Sequence, residues 1–192
     1  MNYATEEEFR EYVGLAVGVG DTAAINDVLD VASRWVDAYC ARNFDSTADT
    51  ATARIFPANG GVVDVDDFAT TSGLVVETSG DRSSWTTVDA STYYAGPAGA
   101  AVRGRPWTRV ELAAGVFSAW VRVTAKWGWT ATPPQVTRAT LMRAHWFAKR
   151  KDSPYGIEGF DGFALRVSSA GDPDVRALLA TYRRGDRVFG IA

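Results

Sequence analysis

The stretch Val121–Gly156, VRVTAKWGWTATPPQVTRATLMRAHWFAKRKDSPYG, narrows the possible folds more than any other part of the chain. Val121, Val123 and Ala125 alternate with Arg122, Thr124 and Lys126, the period of a strand with one buried face. Trp127-Gly128-Trp129 follows, and then Thr132-Pro133-Pro134, a cap residue before prolines that suit only a first helical turn. A helix from Pro133 to about Lys151 comes next. On its wheel Arg138, His145 and Lys149 form one narrow polar stripe, while Val136, Ala139, Leu141, Met142, Ala144, Trp146, Phe147 and Ala148 cover most of the rest. A helix apolar over so much of its surface has neighbours on several sides. Arg143 and Arg150 fall inside that apolar arc and are expected to pair with acids, either of the N-terminal helices or of a neighbouring subunit. No catalytic group is needed to explain any of these residues, which points to a scaffold.

Before this stretch the period changes once. Thr5-Glu6-Glu7-Glu8 is a capping box, so a first helix is expected to run to about Leu15, where Gly14, Gly18 and Gly20 loosen the chain. Asp21 or Thr22 caps a second helix reaching about Asn43, with Ile25, Val28, Leu29, Ala32, Val36, Tyr39 and Cys40 at helical spacing. From about Thr50 the period is two. Strands are expected at Ala53–Phe56, Gly61–Val65, Leu74–Glu77, Ser84–Val88, Thr92–Ala95, Arg109–Leu112 and Trp120–Lys126, with turns at Asn59-Gly60-Gly61 and Ser79-Gly80-Asp81. Strands so close together, with no helices between them, make an antiparallel module. The expected fold is therefore α+β: a small helical bundle, residues 1–50 and 130–192, with an antiparallel β-rich module, 51–129, inserted in it. After Ser153-Pro154-Tyr155-Gly156 a short hairpin containing Phe163–Val167 and a last helix from Asp172-Pro173 complete the bundle.

Charge is uneven along the chain. Residues 1–50 carry ten acids and three bases, 51–137 seven of each, and 138–192 ten bases and six acids. Acidic Glu6, Glu7 and Glu11 at one end and Arg143 and Arg150 at the other are candidates for contacts between copies. The tail residues Arg183, Arg184, Arg187, Val188, Phe189 and Ile191 combine charged anchors with apolar knobs, the make-up of a docking segment. A pI near 5.2 and the lack of a dense basic stripe argue against sequence-specific nucleic-acid binding. No apolar run approaches the roughly 20 residues of a membrane span, no signal peptide is evident, and one cysteine excludes a disulfide framework. A soluble protein of a reducing cytoplasm is expected.

Chemistry is sparse. One His and one Cys far apart in sequence argue against a metal site built on them, and Cys40 lies on the buried face of its helix. Asp64-Val65-Asp66-Asp67 lacks the Gly and distal Glu of a calcium loop and reads as a solvated strand end. Gly18-Val19-Gly20 has neither the preceding strand nor the following Lys-Ser/Thr of a phosphate loop. No cofactor and no catalytic residue is expected. A carbohydrate-binding or hydrolytic module using Trp85, Trp107, Trp120 and the Asp64–Asp67 acids is the alternative from a different class.

Four stretches in order, WVDAYCARNF (Trp35–Phe44), VDVDDFATTSGLVVETSGDRSSWTTV (Val63–Val88), Tyr93–Leu112 with YYAGP and RPWTRVEL, and the segment quoted first, carry a family likeness. In them the chain resembles the head-to-tail connector (adaptor, or head-completion) proteins of long-tailed bacteriophages. The resemblance implies a non-enzymatic virion protein of the neck, assembled in the host cytoplasm. Its copies, typically twelve, would form a ring beneath the portal protein, extending the DNA channel and offering a surface to the next neck, head-closure or tail protein. It also implies a C-terminal segment, about Arg183–Ala192, that grips the portal. A head-closure or tail-terminator protein is the nearest alternative.

Overall fold

A computed structural model describes residues 2–16, 21–152, 157–160, 163–166 and 172–184. The chain is α+β and divides into two compact units, one made of Met1–Arg42 with Thr132–Ala192, the other of Asn43–Ala131.

The first unit is helical. Helix α1, Glu6–Val13, starts on the expected box: the Glu8 N–H donates to Thr5 Oγ1 at 3.2 Å, and Glu8 Oε2 accepts from the Thr5 N–H at 2.7 Å. It stops two residues before the expected Leu15, because Gly14 turns left-handed and its N–H caps the Arg10 and Glu11 carbonyls. Helix α2, Thr22–Cys40, is capped by Asp21, which accepts from the Ala23 N–H at 2.9 Å. It ends at left-handed Ala41 and not near Asn43, a stop with no glycine to announce it. Its stripe Ile25, Leu29, Ala32, Val36 and Cys40 is buried, and burying a side chain like Leu29 contributes about 2 kcal/mol. Helix α3, Pro134–Asp152, packs against α1, α2 and α4, which explains its broad apolar surface. Ala4, Phe9, Ile25, Leu29, Ala32, Leu141 and Ala144 form the shared core. Strands β8, Ile157–Phe160, and β9, Phe163–Arg166, make a hairpin. Helix α4, Pro173–Leu179, capped by Asp172, runs into a tight turn at Ala180–Tyr182, where Tyr182 Oη donates to Gln135 Oε1 at 2.9 Å.

The second unit is two antiparallel sheets over one core. Strands β1 (Thr52–Pro57), β3 (Val75–Ser79), β4 (Thr86–Thr87) and β7 (Trp120–Ala125) form the first, in the order β1-β7-β3-β4. Strands β2 (Val62–Phe68), β5 (Tyr93–Gly96) and β6 (Trp107–Leu112) form the second, in the order β2-β6-β5. The Asn59–Val62 turn is the expected hairpin, its ends bonded through Asn59 N–H to Val62 O at 2.9 Å and Val62 N–H to Asn59 O at 3.2 Å. It passes the chain from one sheet to the other instead of joining two neighbours of one sheet. In β7, Val121, Val123 and Ala125 are fully buried while Arg122 and Thr124 are half-exposed, the alternation expected from the sequence. They meet Val63, Val65, Phe68, Val76, Val110 and Trp127 in the core.

Trp127-Gly128-Trp129 closes this unit. The Trp129 N–H donates to Asp45 O at 2.9 Å, the Thr47 N–H to Trp129 O at 2.7 Å, the Ala48 N–H to Trp127 O at 2.9 Å and the Gly128 N–H to Asp67 O at 2.8 Å. Gly128 sits at φ 127°, and a Cβ there would lie 2.7 Å from the Ser46 carbonyl oxygen. Only glycine lets three backbone segments approach this closely.

Candidate assembly surfaces

The groups with chemical potential are held in structural roles. Asp67, 6% exposed, accepts from the Trp129 indole N–H at 2.9 Å. Asp66 pairs with Arg54 at 2.7 Å, and Asp64 is exposed. The acidic run is thus shared between a buried hydrogen bond and an edge ion pair. Among the described residues no cluster of three His, Cys, Asp or Glu side chains is placed to hold a metal. Cys40 is fully buried, and burial pushes its thiol up to about 11, leaving negligible thiolate near neutral pH. The His145 ring meets Tyr12 edge-on at 5.9 Å. No helix among the described residues is long and apolar enough to cross a membrane.

The tryptophans of the second unit pack against arginines or aromatic rings. Arg82 lies over Trp120 at 4.1 Å, Arg122 over Trp85 at 4.6 Å and Arg54 over Trp127 at 4.7 Å, and Trp107 packs on Phe68 at 5.7 Å. Each of these contacts takes up part of a ring that a sugar could stack on, while Trp85, Trp107 and Trp120 stay half-exposed. Arg122 is also bidentate to Glu77, Nε to Oε2 at 2.6 Å and Nη2 to Oε1 at 2.5 Å.

In the first unit arginines and aromatic rings form a continuous row. Arg143, 8% exposed, lies 4.4 Å from the Trp35 ring centroid, 4.2 Å from that of Trp146 and 4.6 Å from that of Phe147. Trp35 stacks on Tyr39, one helical turn away, at 5.3 Å, and Arg183 lies 5.2 Å over Tyr39. Sequence reasoning expected Arg143 to pair with acids of the N-terminal helices or of a neighbouring subunit, and did not foresee these rings. The rings surround it because α2 turns Trp35 toward α3, a proximity no local spacing reveals. The one signal in the sequence is the Trp35/Tyr39 i,i+4 pair.

The remaining candidates separate into four groups. Glu6 accepts from Arg10 Nε at 2.7 Å and Nη2 at 2.6 Å and from Thr22 Oγ1 at 3.0 Å, so it is used within the protomer. Glu7 and Glu11 are exposed and one turn apart. Arg183 is exposed and Arg184 half-exposed, its N–H donating to the Cys40 carbonyl at 2.8 Å, so the chain passes the C-terminal end of α2 here. The Arg150 side chain and Arg187, Val188, Phe189 and Ile191 lie outside the described residues.

Among the described residues, four carboxyls are held below the usual carboxylate range: Glu6 chiefly by Arg10, Glu77 by Arg122, Asp81 by the Ser83 hydroxyl and Asp89 by the Ser91 N–H. Each depressed value means stability that is complete above the unfolded pKa, about 4, and lost as pH falls through the folded value. The melting temperature is therefore expected to be flat from pH 7 to about 5 and to fall progressively below about 4. Thermal melts across that range check this, and a melting temperature that rises on acidification contradicts it.

No protein-family model matches the sequence, and neither does any curated protein. Solved structures do share the fold. A chain from the neck of a native gene transfer agent particle, computed with C12 symmetry, aligns at TM-score 0.56 and 18% identity over 96% of this chain and 90% of its own length. One from the neck of an empty particle, computed with C6 symmetry, gives 0.53 and 16%, covering 96% and 91%. One from the virion of the native particle gives 0.52 and 20%, again 96% and 91%. At these identities the likeness is one of fold, and it extends over both units.

Proposed function

We propose that this chain is a structural neck protein of a phage-like particle, a head-to-tail adaptor whose copies close a ring under the portal. The observation that carries it is the fold, shared over 96% of the chain with chains from gene transfer agent necks computed with C12 and C6 symmetry. The ring, of twelve copies, extends the DNA channel without sequence-specific contacts and offers its far side to a downstream neck, head-closure or tail protein. Assembly takes place in the host cytoplasm and the finished ring stays in the virion. The role is mechanical, with no catalytic step and no cofactor.

In this reading each copy touches its neighbours through two different surfaces, as a closed ring of identical copies requires. Glu7, Glu11 and Arg150 are the charged candidates for those contacts, while Glu6 and Arg143 act from inside the protomer. The segment from Arg183 and Arg184 through Arg187, Val188, Phe189 and Ile191 is the candidate for gripping the portal. The test is to mix purified protein with isolated portal rings and image the complexes by negative stain. Portal rings capped by a second ring are expected, and deletion of residues 185–192 should abolish the capping. Portals that stay bare at every protein concentration overturn the proposal.

A further inference from the structure

Three successive residues at the end of the first unit's described chain are each held by a different group. Tyr182, 8% exposed, donates from its hydroxyl to Gln135 Oε1 of α3 at 2.9 Å. Arg183 lies 5.2 Å over the Tyr39 ring of α2. The Arg184 N–H donates at 2.8 Å to the Cys40 carbonyl, one of the last four of α2, which have no acceptor role inside the helix. Two side chains and a backbone bond thus fix the path just before residue 185.

Tyr39 is itself set from the core outward. It stacks on Trp35 at 5.3 Å with the ring planes 8° apart, and Trp35 meets Arg143, which is 8% exposed, at 4.4 Å. The row therefore runs from a buried cation to an exposed one, Arg183. Charge favours the same placement. The last turn of α2 has no base of its own, yet the negative end of a helix attracts cations. Arg42, just past the helix, and Arg183, from the far end of the chain, both act on Cys40 there.

We infer that Tyr182, Arg183 and Arg184 are the root of the docking segment: they set the direction in which residues 185–192 leave toward the portal, and do not themselves grip it. The inference rests on the portal-docking reading above and divides its segment into a part that positions and a part that binds. A tail held at its base loses less freedom on docking than a loose tether, so the root contributes affinity without touching the portal. Tyr39 and Arg183 are then positioning residues, coupled to each other. Arg183 is exposed and Tyr39 only half-buried, so replacing either leaves the protomer core in place.

Portal capping by the full chain tests it, read as the protein concentration that caps half the portal rings. Tyr39→Leu and Arg183→Ala are each expected to raise that concentration about 5-fold, and Arg183→Lys much less. The double variant Tyr39→Leu/Arg183→Ala should be no worse than the worse single, because both remove one contact. Inserting Gly-Gly-Ser-Gly after Arg184 keeps the root and every tail residue, yet should weaken capping as strongly, because it frees the direction. Circular dichroism melts show whether each variant is folded, and the insertion carries the test if Tyr39→Leu is not. If wild-type protein caps no portal, the adaptor reading fails and the root with it. If wild type caps and deletion of residues 185–192 abolishes this, but the substitutions and the insertion cap like wild type, the tail grips as a free tether and this inference alone is overturned. Losses that add in the double variant overturn it too, since Arg183 then acts on the portal directly.

Discussion

Gly128→Ala is expected to destabilise the second unit by about 3 kcal/mol or more, through backbone strain added to a steric clash. The new Cβ would lie 2.7 Å from the Ser46 carbonyl oxygen and 2.8 Å from that of Asp45, both backbone atoms that no rotamer change can move. Making room would pull Trp129 away from Asp45 and Thr47 and break the Gly128 bond to Asp67. Gly80→Ala is the control, because a Cβ there meets nothing within 4 Å and φ is not in the left-handed region. Urea unfolding followed by tryptophan fluorescence should show the midpoint falling for Gly128→Ala and hardly moving for Gly80→Ala. Equal shifts for the two would mean that the three-segment closure is not what the glycine serves.

Arg143→Ala should have the next largest effect, about 3 kcal/mol, since a desolvated cation over aromatic faces contributes about 2 kcal/mol and its methylenes add packing. The guanidinium is nearly enclosed by Trp35, Trp146 and Phe147. Two substitutions separate charge from bulk. Arg143→Lys keeps a cation and should cost less than Arg143→Met, which fills similar space without one. A methionine variant as stable as the parent would show that burying the charge costs as much as the rings return. Denaturant unfolding of all three variants makes the comparison.

The sequence carried most of the fold because most of its signals were local. All seven strands of the second unit lie within a few residues of their expected positions, since period-two alternation is written into each segment. Boundaries moved where the chain's own geometry took over. The strand expected at Ser84–Val88 shrinks to Thr86–Thr87, because the Asp81 carboxylate binds Ser83 and Ser84 into a turn. What local pattern could not carry was partnership across the chain: Asp67 with Trp129, Arg143 with Trp35, Arg184 with Cys40. The acidic run Asp64–Asp67 shows the difference. From sequence it is one feature, yet its neighbouring carboxylates end in different environments, since successive strand residues face opposite ways.

The pairing of Ser46 with Trp129 is parallel. The chain entering the second unit at Ser46 and the chain leaving it at Trp129 therefore run in the same direction at this bridge. Everything between them is a detour that returns the chain to its original heading. A short circuit from Asp45 to Thr130 would remove the whole double sheet and change the path by little more than one sideways step. A protein spliced this way, expressed on its own, would show whether the helical unit carries its own stability.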